Sequence, residues 1–90
     1  MNKAELVKEV TSQTGLTKKA SGEAIDAMTS VITDALARGE KVTLVGFGTF
    51  RVVERRARRG RNPQTGQTIQ IPAKKVAKFR PGKGLRENVK

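Results

Sequence analysis

Ninety residues with 19 Lys or Arg against 8 Asp or Glu, a net charge of +11, allow one small and strongly cationic domain. The absence of Cys and His excludes disulfides, thiolate metal sites and imidazole general bases. No apolar run has the length of a signal peptide or a bilayer span, so the expected setting is soluble and intracellular.

Asn2 is placed to cap a first helix, and Glu5 three residues on completes a capping box. Leu6, Val7 and Val10 follow at helical spacing. Gly15 is expected to end this helix in the left-handed conformation, with Leu16 closing a Schellman-type contact. Thr17 caps a longer helix whose Ala20, Ala24, Ala27, Met28, Val31 and Ala35 form one apolar stripe, widened by Ile32 and Leu36. Gly39 terminates it. Gly22 weakens its first turns by roughly 1 kcal/mol relative to Ala, with no reason visible in the sequence.

From Lys41 the apolar period changes to two. Val42 and Leu44 face one way, Thr43 and Val45 the other, and Gly46-Phe47-Gly48 predicts a tight turn. Thr49 to Glu54 resumes as a strand with Phe50 and Val52 on one face, expected to run on into the basic segment. Pro63-Gln64-Thr65-Gly66 supplies a reversal, with Pro at the second turn position and Gly at the end. The chain returns through Ile69 and Ile71 to Val76 and Phe79, breaks at Pro81-Gly82, and ends in a short helix over Lys83–Val89 that Gly84 weakens. The order is helix, helix, three strands, helix, an α+β fold.

The charge is unevenly placed. Residues 1–45 hold six bases and six acids, whereas residues 46–90 hold thirteen bases and only Glu54 and Glu87 as acids. Within Arg55–Lys75 there are seven bases (Arg55, Arg56, Arg58, Arg59, Arg61, Lys74 and Lys75) and no acid. Such a segment has too little apolar surface to bury itself, and its charges repel one another. It reads as a two-stranded arm that orders against a polyanion, nucleic acid first and anionic membrane second. Guanidinium groups suit narrow minor grooves and bidentate phosphate contacts. The plainer reading, a solvated surface run, sits poorly with seven bases and no acid among them.

Pro63 at the arm tip has two readings of equal weight on spacing alone, a turn former or an apolar wedge that enters between base steps. Phe47, Phe50 and Phe79, the only aromatics, lie outside the basic segment and are expected in the core or a dimer interface rather than as base-stacking platforms. No general acid–base constellation and no metal or cofactor site is evident. With the arm set aside, the remaining body falls below the roughly 70–80 residues that a lone core needs, so oligomerisation is expected.

Several motifs together are specific: Gly46-Phe47-Gly48-Thr49-Phe50, Glu54-Arg55, Gly60-Arg61-Asn62-Pro63-Gln64-Thr65-Gly66, Ile71-Pro72-Ala73 and Phe79-Arg80-Pro81-Gly82-Lys83. The chain resembles, over its whole length, the bacterial HU and integration host factor family. The opening Met1-Asn2-Lys3-Ala4-Glu5-Leu6 is similar to the HU branch. The resemblance implies an intertwined homodimer, or a mixed dimer with a paralogue. In it, residues 1–39 would be the helical dimerisation part, 40–54 and 76–81 the saddle strands, 55–75 the DNA-binding arm and 82–90 the C-terminal helix. It further implies that Pro63 is the intercalating tip and Asn62 its neighbour on DNA. Arg55, Arg58 and Arg61 would meet the minor groove or phosphates, Lys3, Lys83 and Arg86 would touch flanking phosphates, and Phe47, Phe50 and Phe79 would form the dimer core.

Two positions depart from the family pattern: Ala77 stands where many relatives carry proline, and Gly84 replaces a better helix former. The implied function is non-enzymatic, largely sequence-independent binding and bending of double-stranded DNA in the cytoplasmic nucleoid. The rivals are a site-preferring subunit like integration host factor, an RNA-binding or ribosome-associated module and, more weakly, a nuclease.

Overall fold

The computed structural model describes Met1–Lys90. Its elements are α1 (Lys3–Thr14), α2 (Lys18–Ala37), β1 (Val42–Leu44), β2 (Gly48–Arg55), β3 (Arg58–Arg61), β4 (Thr68–Ile71), β5 (Lys74–Pro81) and α3 (Lys83–Asn88). Residues 1–34 and 35–90 form two compact units.

In the first unit, local chemistry sets the helix ends. The Glu5 N–H donates to Asn2 Oδ1 at 2.9 Å, and the Ala20 N–H donates to Thr17 Oγ1 at 3.0 Å, so both expected caps form. Gly15 takes φ 76° and its N–H donates to the Thr11 carbonyl. The Leu16 N–H turns instead to the Thr14 hydroxyl at 3.2 Å, so the helix ends in a single αL bond rather than the expected Schellman closure, and Leu16 stays exposed. Ser21, fully buried, accepts a hydrogen bond from Thr11 Oγ1 at 2.9 Å, tying α2 to α1. A Cβ at Gly22 would meet Val7 Cγ2 at an ordinary 4.0 Å; nothing in the structure explains this glycine.

The Schellman pair occurs at the end of α2, where the Glu40 N–H reaches the Ala35 carbonyl and the Gly39 N–H reaches the Leu36 carbonyl, with Gly39 at φ 80°. Ala35 is the only buried apolar residue of the chain.

The second unit holds a three-stranded antiparallel sheet, ordered β1-β2-β5, and a two-stranded ribbon, β3-β4. The first hairpin turns over Leu44–Phe47, closed by the Phe47 N–H on the Leu44 carbonyl, with Gly46 at φ 86°. It closes earlier than the predicted Gly46-Phe47-Gly48, because only Gly46 needs the left-handed region. Val45 is therefore at the turn tip, fully exposed, and not on the strand. Gly48 opens β2 and serves packing: a Cβ there would lie 2.5 Å from Phe79 Cζ.

The expected long strand is interrupted. β2 and β5 pair from Gly48↔Pro81 to Arg55↔Lys74, and β3 and β4 pair from Arg58↔Ile71 to Arg61↔Thr68. The two ladders share one register, but Arg56-Ala57 and Pro72-Ala73 between them belong to neither. Pro72, opposite Ala57 in that register, has no N–H to give. At the ribbon tip the Asn62 N–H donates to the Gln67 carbonyl and the Gly66 N–H to the Asn62 carbonyl, with Gly66 at φ 72°. α3 docks on the first hairpin: the Leu85 N–H donates to the Gly46 carbonyl at 3.1 Å, and a Cβ at Gly84 would lie 2.8 Å from that same oxygen. Gly84, expected only to weaken the helix, is thus what permits this close approach.

Candidate nucleic-acid interface

The sheet separates two chemistries. In β2 and β5, Arg51 lies opposite Lys78, Arg55 opposite Lys74 and Thr49 opposite Arg80, and these pairs alternate with Phe50↔Phe79 and Val52↔Ala77. Successive side chains of a strand point to opposite faces. One face therefore carries Arg51, Arg55, Lys74, Lys78 and Arg80 around a single apolar pair, Val53↔Val76, and the other carries Phe50, Phe79, Val52 and Ala77 with Glu54↔Lys75 at its end. Arg51, Lys78 and Arg80 were not among the candidate residues singled out from the sequence. The signal for them is present: each falls at the strand position that alternates with Phe50 or Phe79. Like charges directly opposite one another destabilise a sheet, and Arg51/Lys78 and Arg55/Lys74 are two such pairs. The only ion pairs in the protein are Lys3–Asp26 and Arg38–Glu40, so no acid neutralises this face.

Lys74 and Lys75, adjacent in sequence, are separated by the same alternation. Lys75 lies opposite Glu54 and lines a groove with Val52, Glu54 and the end of α2. Where the ladder breaks, Arg55, Arg56, Arg58 and Lys74 surround Ile71, Pro72 and Ala73 in a groove of about 710 Å³. Beyond it Arg59 and Arg61 are exposed on the ribbon. Asn62 Oδ1 accepts the Gln64 N–H at 2.9 Å, so this side chain builds the turn and leaves only its NH₂ free to reach outward. Pro63 is exposed at the tip.

The body residues belong to different elements, α1 and α3. Lys3 pairs with Asp26 at 2.6 Å, both well exposed, an arrangement worth about 0–1 kcal/mol and easily exchanged for another anion. Lys83 and Arg86 are exposed on α3. The three rings converge: Phe79 stands 5.4 Å from Phe47 and 4.8 Å from Phe50, both tilted. Phe47 and Phe79 nevertheless remain partly open to solvent.

Over residues 1–90 the sequence matches the family described as bacterial DNA-binding protein. The chain belongs to that family. It is 54% identical to DNA-binding protein HU of Geobacillus stearothermophilus and 56% identical to that of Staphylococcus aureus, each match spanning the whole of both chains. Among solved structures it is similar to an Anabaena HU–DNA cocrystal structure, with a TM-score of 0.90 and 47% identity over 99% of this chain and 97% of that one. HU from Thermotoga maritima aligns over both full chains at 39% identity and a TM-score of 0.73. The α+β fold expected from the sequence is the fold of these HU structures. Of the two departures from the family's pattern, Ala77 sits opposite Val52 within the unbroken β2–β5 ladder, and Gly84 has the packing role given above. No helix is long and apolar enough to cross a membrane.

Proposed function

We propose that this HU-family protein is a histone-like architectural protein that binds and bends double-stranded DNA with little regard to sequence. The observation that carries this reading is the cationic face of the sheet, where bases oppose bases and no acid answers them. That arrangement is unfavourable in isolation and becomes favourable when phosphates lie across it, with release of condensed counterions. The Anabaena relative was solved with DNA.

The ribbon extends this face. Arginines occupy both of its sides, which suits a finger inserted between the two phosphate walls of a minor groove better than a surface laid against one wall. Pro63 at its tip is rigid, apolar and exposed, as a wedge between base steps must be. Neither phosphates nor the minor groove carry much sequence information, so binding is general. Lys3, Lys83 and Arg86 extend the contact over flanking phosphates. Chemistry on the bound DNA is not part of this function, and the working location is the nucleoid in the cytoplasm.

The protein acts as a dimer. Leu6, Met28 and Val31 are exposed on its helices, and one alanine is too little core for ninety residues. A second copy, or a paralogue with the same stripe, covers this surface and the partly open phenylalanines. The test is a gel shift on nicked, bent and linear duplexes and on RNA of equal length, with mass determined by sedimentation. Dimers that prefer duplex, and distorted duplex most, are expected. A monomer, or tighter binding to RNA, would overturn the reading in favour of an RNA-binding module; preference for one duplex sequence over unrelated competitor would favour a site reader.

A further inference from the structure

Opposite residues of an antiparallel ladder alternate between pairs that exchange two N–H···O bonds and pairs that exchange none. A proline fits only the second kind. Pro81 lies opposite Gly48, and the adjoining Gly82 N–H donates to the Phe47 carbonyl at 2.8 Å. The bonded pairs of the sheet are therefore Thr49↔Arg80, Arg51↔Lys78, Val53↔Val76 and Arg55↔Lys74. Carried onward, this phase would make Ala57↔Pro72 a bonded pair, which Pro72 cannot complete. The ribbon has the opposite phase. At its tip the Asn62 N–H donates to the Gln67 carbonyl at 2.8 Å, so its bonded pairs are Gly60↔Ile69 and Arg58↔Ile71. The register does not slip; the hydrogen-bond phase shifts by one residue across the break at Arg56-Ala57 and Pro72-Ala73.

Chirality ties the direction of each side chain to the direction of its own N–H. Bonded pairs on the two sides of the break therefore share a face. Arg58 joins Arg51, Arg55, Lys74 and Lys78, and Arg59 and Arg61 turn to the other side, whereas uninterrupted alternation would place Arg58 with Phe50 and Glu54 and would give the cationic face Arg59 and Arg61 instead. Arg55, Lys74, Arg58 and Ile71 border the groove at the break, together with Arg56, Pro72 and Ala73 of the unpaired step.

We propose that Pro72 is a positioning residue for DNA binding: by withholding one donor at the arm base it rotates the ribbon by one hydrogen-bond phase, so that Arg58, rather than Arg59 and Arg61, continues the cationic face of the sheet. The functional half of this proposal rests on the DNA-binding reading above; the structural half does not.

The chain has no cysteine, so cross-strand cysteine pairs report the phase directly. Cβ atoms are closer in non-bonded pairs, nearer the separation a disulfide needs. In the parent, Arg59→Cys with Gln70→Cys should oxidise about tenfold faster than Arg58→Cys with Ile71→Cys. Adding Pro72→Ala restores the missing donor and should reverse that order. In parallel, Arg58→Ala should lower duplex affinity roughly tenfold more than Arg59→Ala in the parent, and less than Arg59→Ala in the Pro72→Ala background. A disulfide order indifferent to Pro72→Ala overturns the proposal. A reversed disulfide order with an unchanged arginine order overturns the positioning role. A parent that binds no duplex would instead sink the proposed function, while the disulfide order would still decide whether Pro72 sets the phase.

Discussion

Gly48→Ala tests the packing that holds the sheet together. An ideal Cβ at this position would lie 2.5 Å from Phe79 Cζ, 2.6 Å from Phe79 Cε1 and 2.6 Å from the Arg80 carbonyl oxygen. The carbonyl belongs to β5 and cannot retreat without loosening the ladder. The ring can move only by leaving its neighbours Phe47 and Phe50, whose centroids stand 5.4 and 4.8 Å away. Overpacking costs roughly 1–3 kcal/mol, and each disturbed aromatic pair adds about 0.5–1.5 kcal/mol. A loss of about 3 kcal/mol follows, equivalent to a fall in Tm of roughly 12–24 °C for a domain of this size. The assay is thermal unfolding followed by circular dichroism at one fixed protomer concentration, since the midpoint of a dimer depends on concentration. Adding Phe79→Leu, which removes the ring edge facing position 48, should make the alanine less damaging than it is alone. A Tm within about 2 °C of the parent for Gly48→Ala would refute the reasoning, because the contact would then be relieved at no cost.

The remaining predictions concern DNA and the helical unit. With about eight phosphates neutralised by a dimer, log K should fall against log salt with a slope of roughly −7, read by fluorescence anisotropy; a nearly flat slope would contradict the phosphate contacts. Pro63→Ala should reduce bending in a FRET assay more than it reduces affinity, and unchanged bending would remove the wedge role. Thr11→Val leaves the buried Ser21 hydroxyl without its donor and should cost about 1–3 kcal/mol in chemical denaturation, whereas Thr11→Val with Ser21→Ala together should recover part of that loss.

Much of the fold was legible because it is governed by neighbours in sequence. The caps at Asn2 and Thr17, the left-handed Gly15 and the helix stop at Gly39 are each settled within one turn of chain, and each appears as expected. So does the arm reversal, whose Asn62 and Gly66 satisfy their own backbone groups. The cationic half is a matter of composition, and its inability to bury itself needs no coordinates. The Schellman closure expected at Leu16 failed for an equally local reason, since the Thr14 hydroxyl takes that N–H first.

The sequence by itself determined the α+β order of elements, the two helix starts, the basic ribbon and the separation of charge between the halves, because each follows from spacing and composition along the chain. Only the tertiary structure decided which glycines are there for packing, since Gly48 and Gly84 answer to a phenyl ring and a carbonyl more than thirty positions away in sequence. It likewise added Arg51, Lys78 and Arg80 to the cationic face, sent Lys75 to the opposite one and shifted the ribbon's phase at Pro72. Those outcomes depend on which residue of a distant strand lies opposite, and on whether that residue has a donor to give.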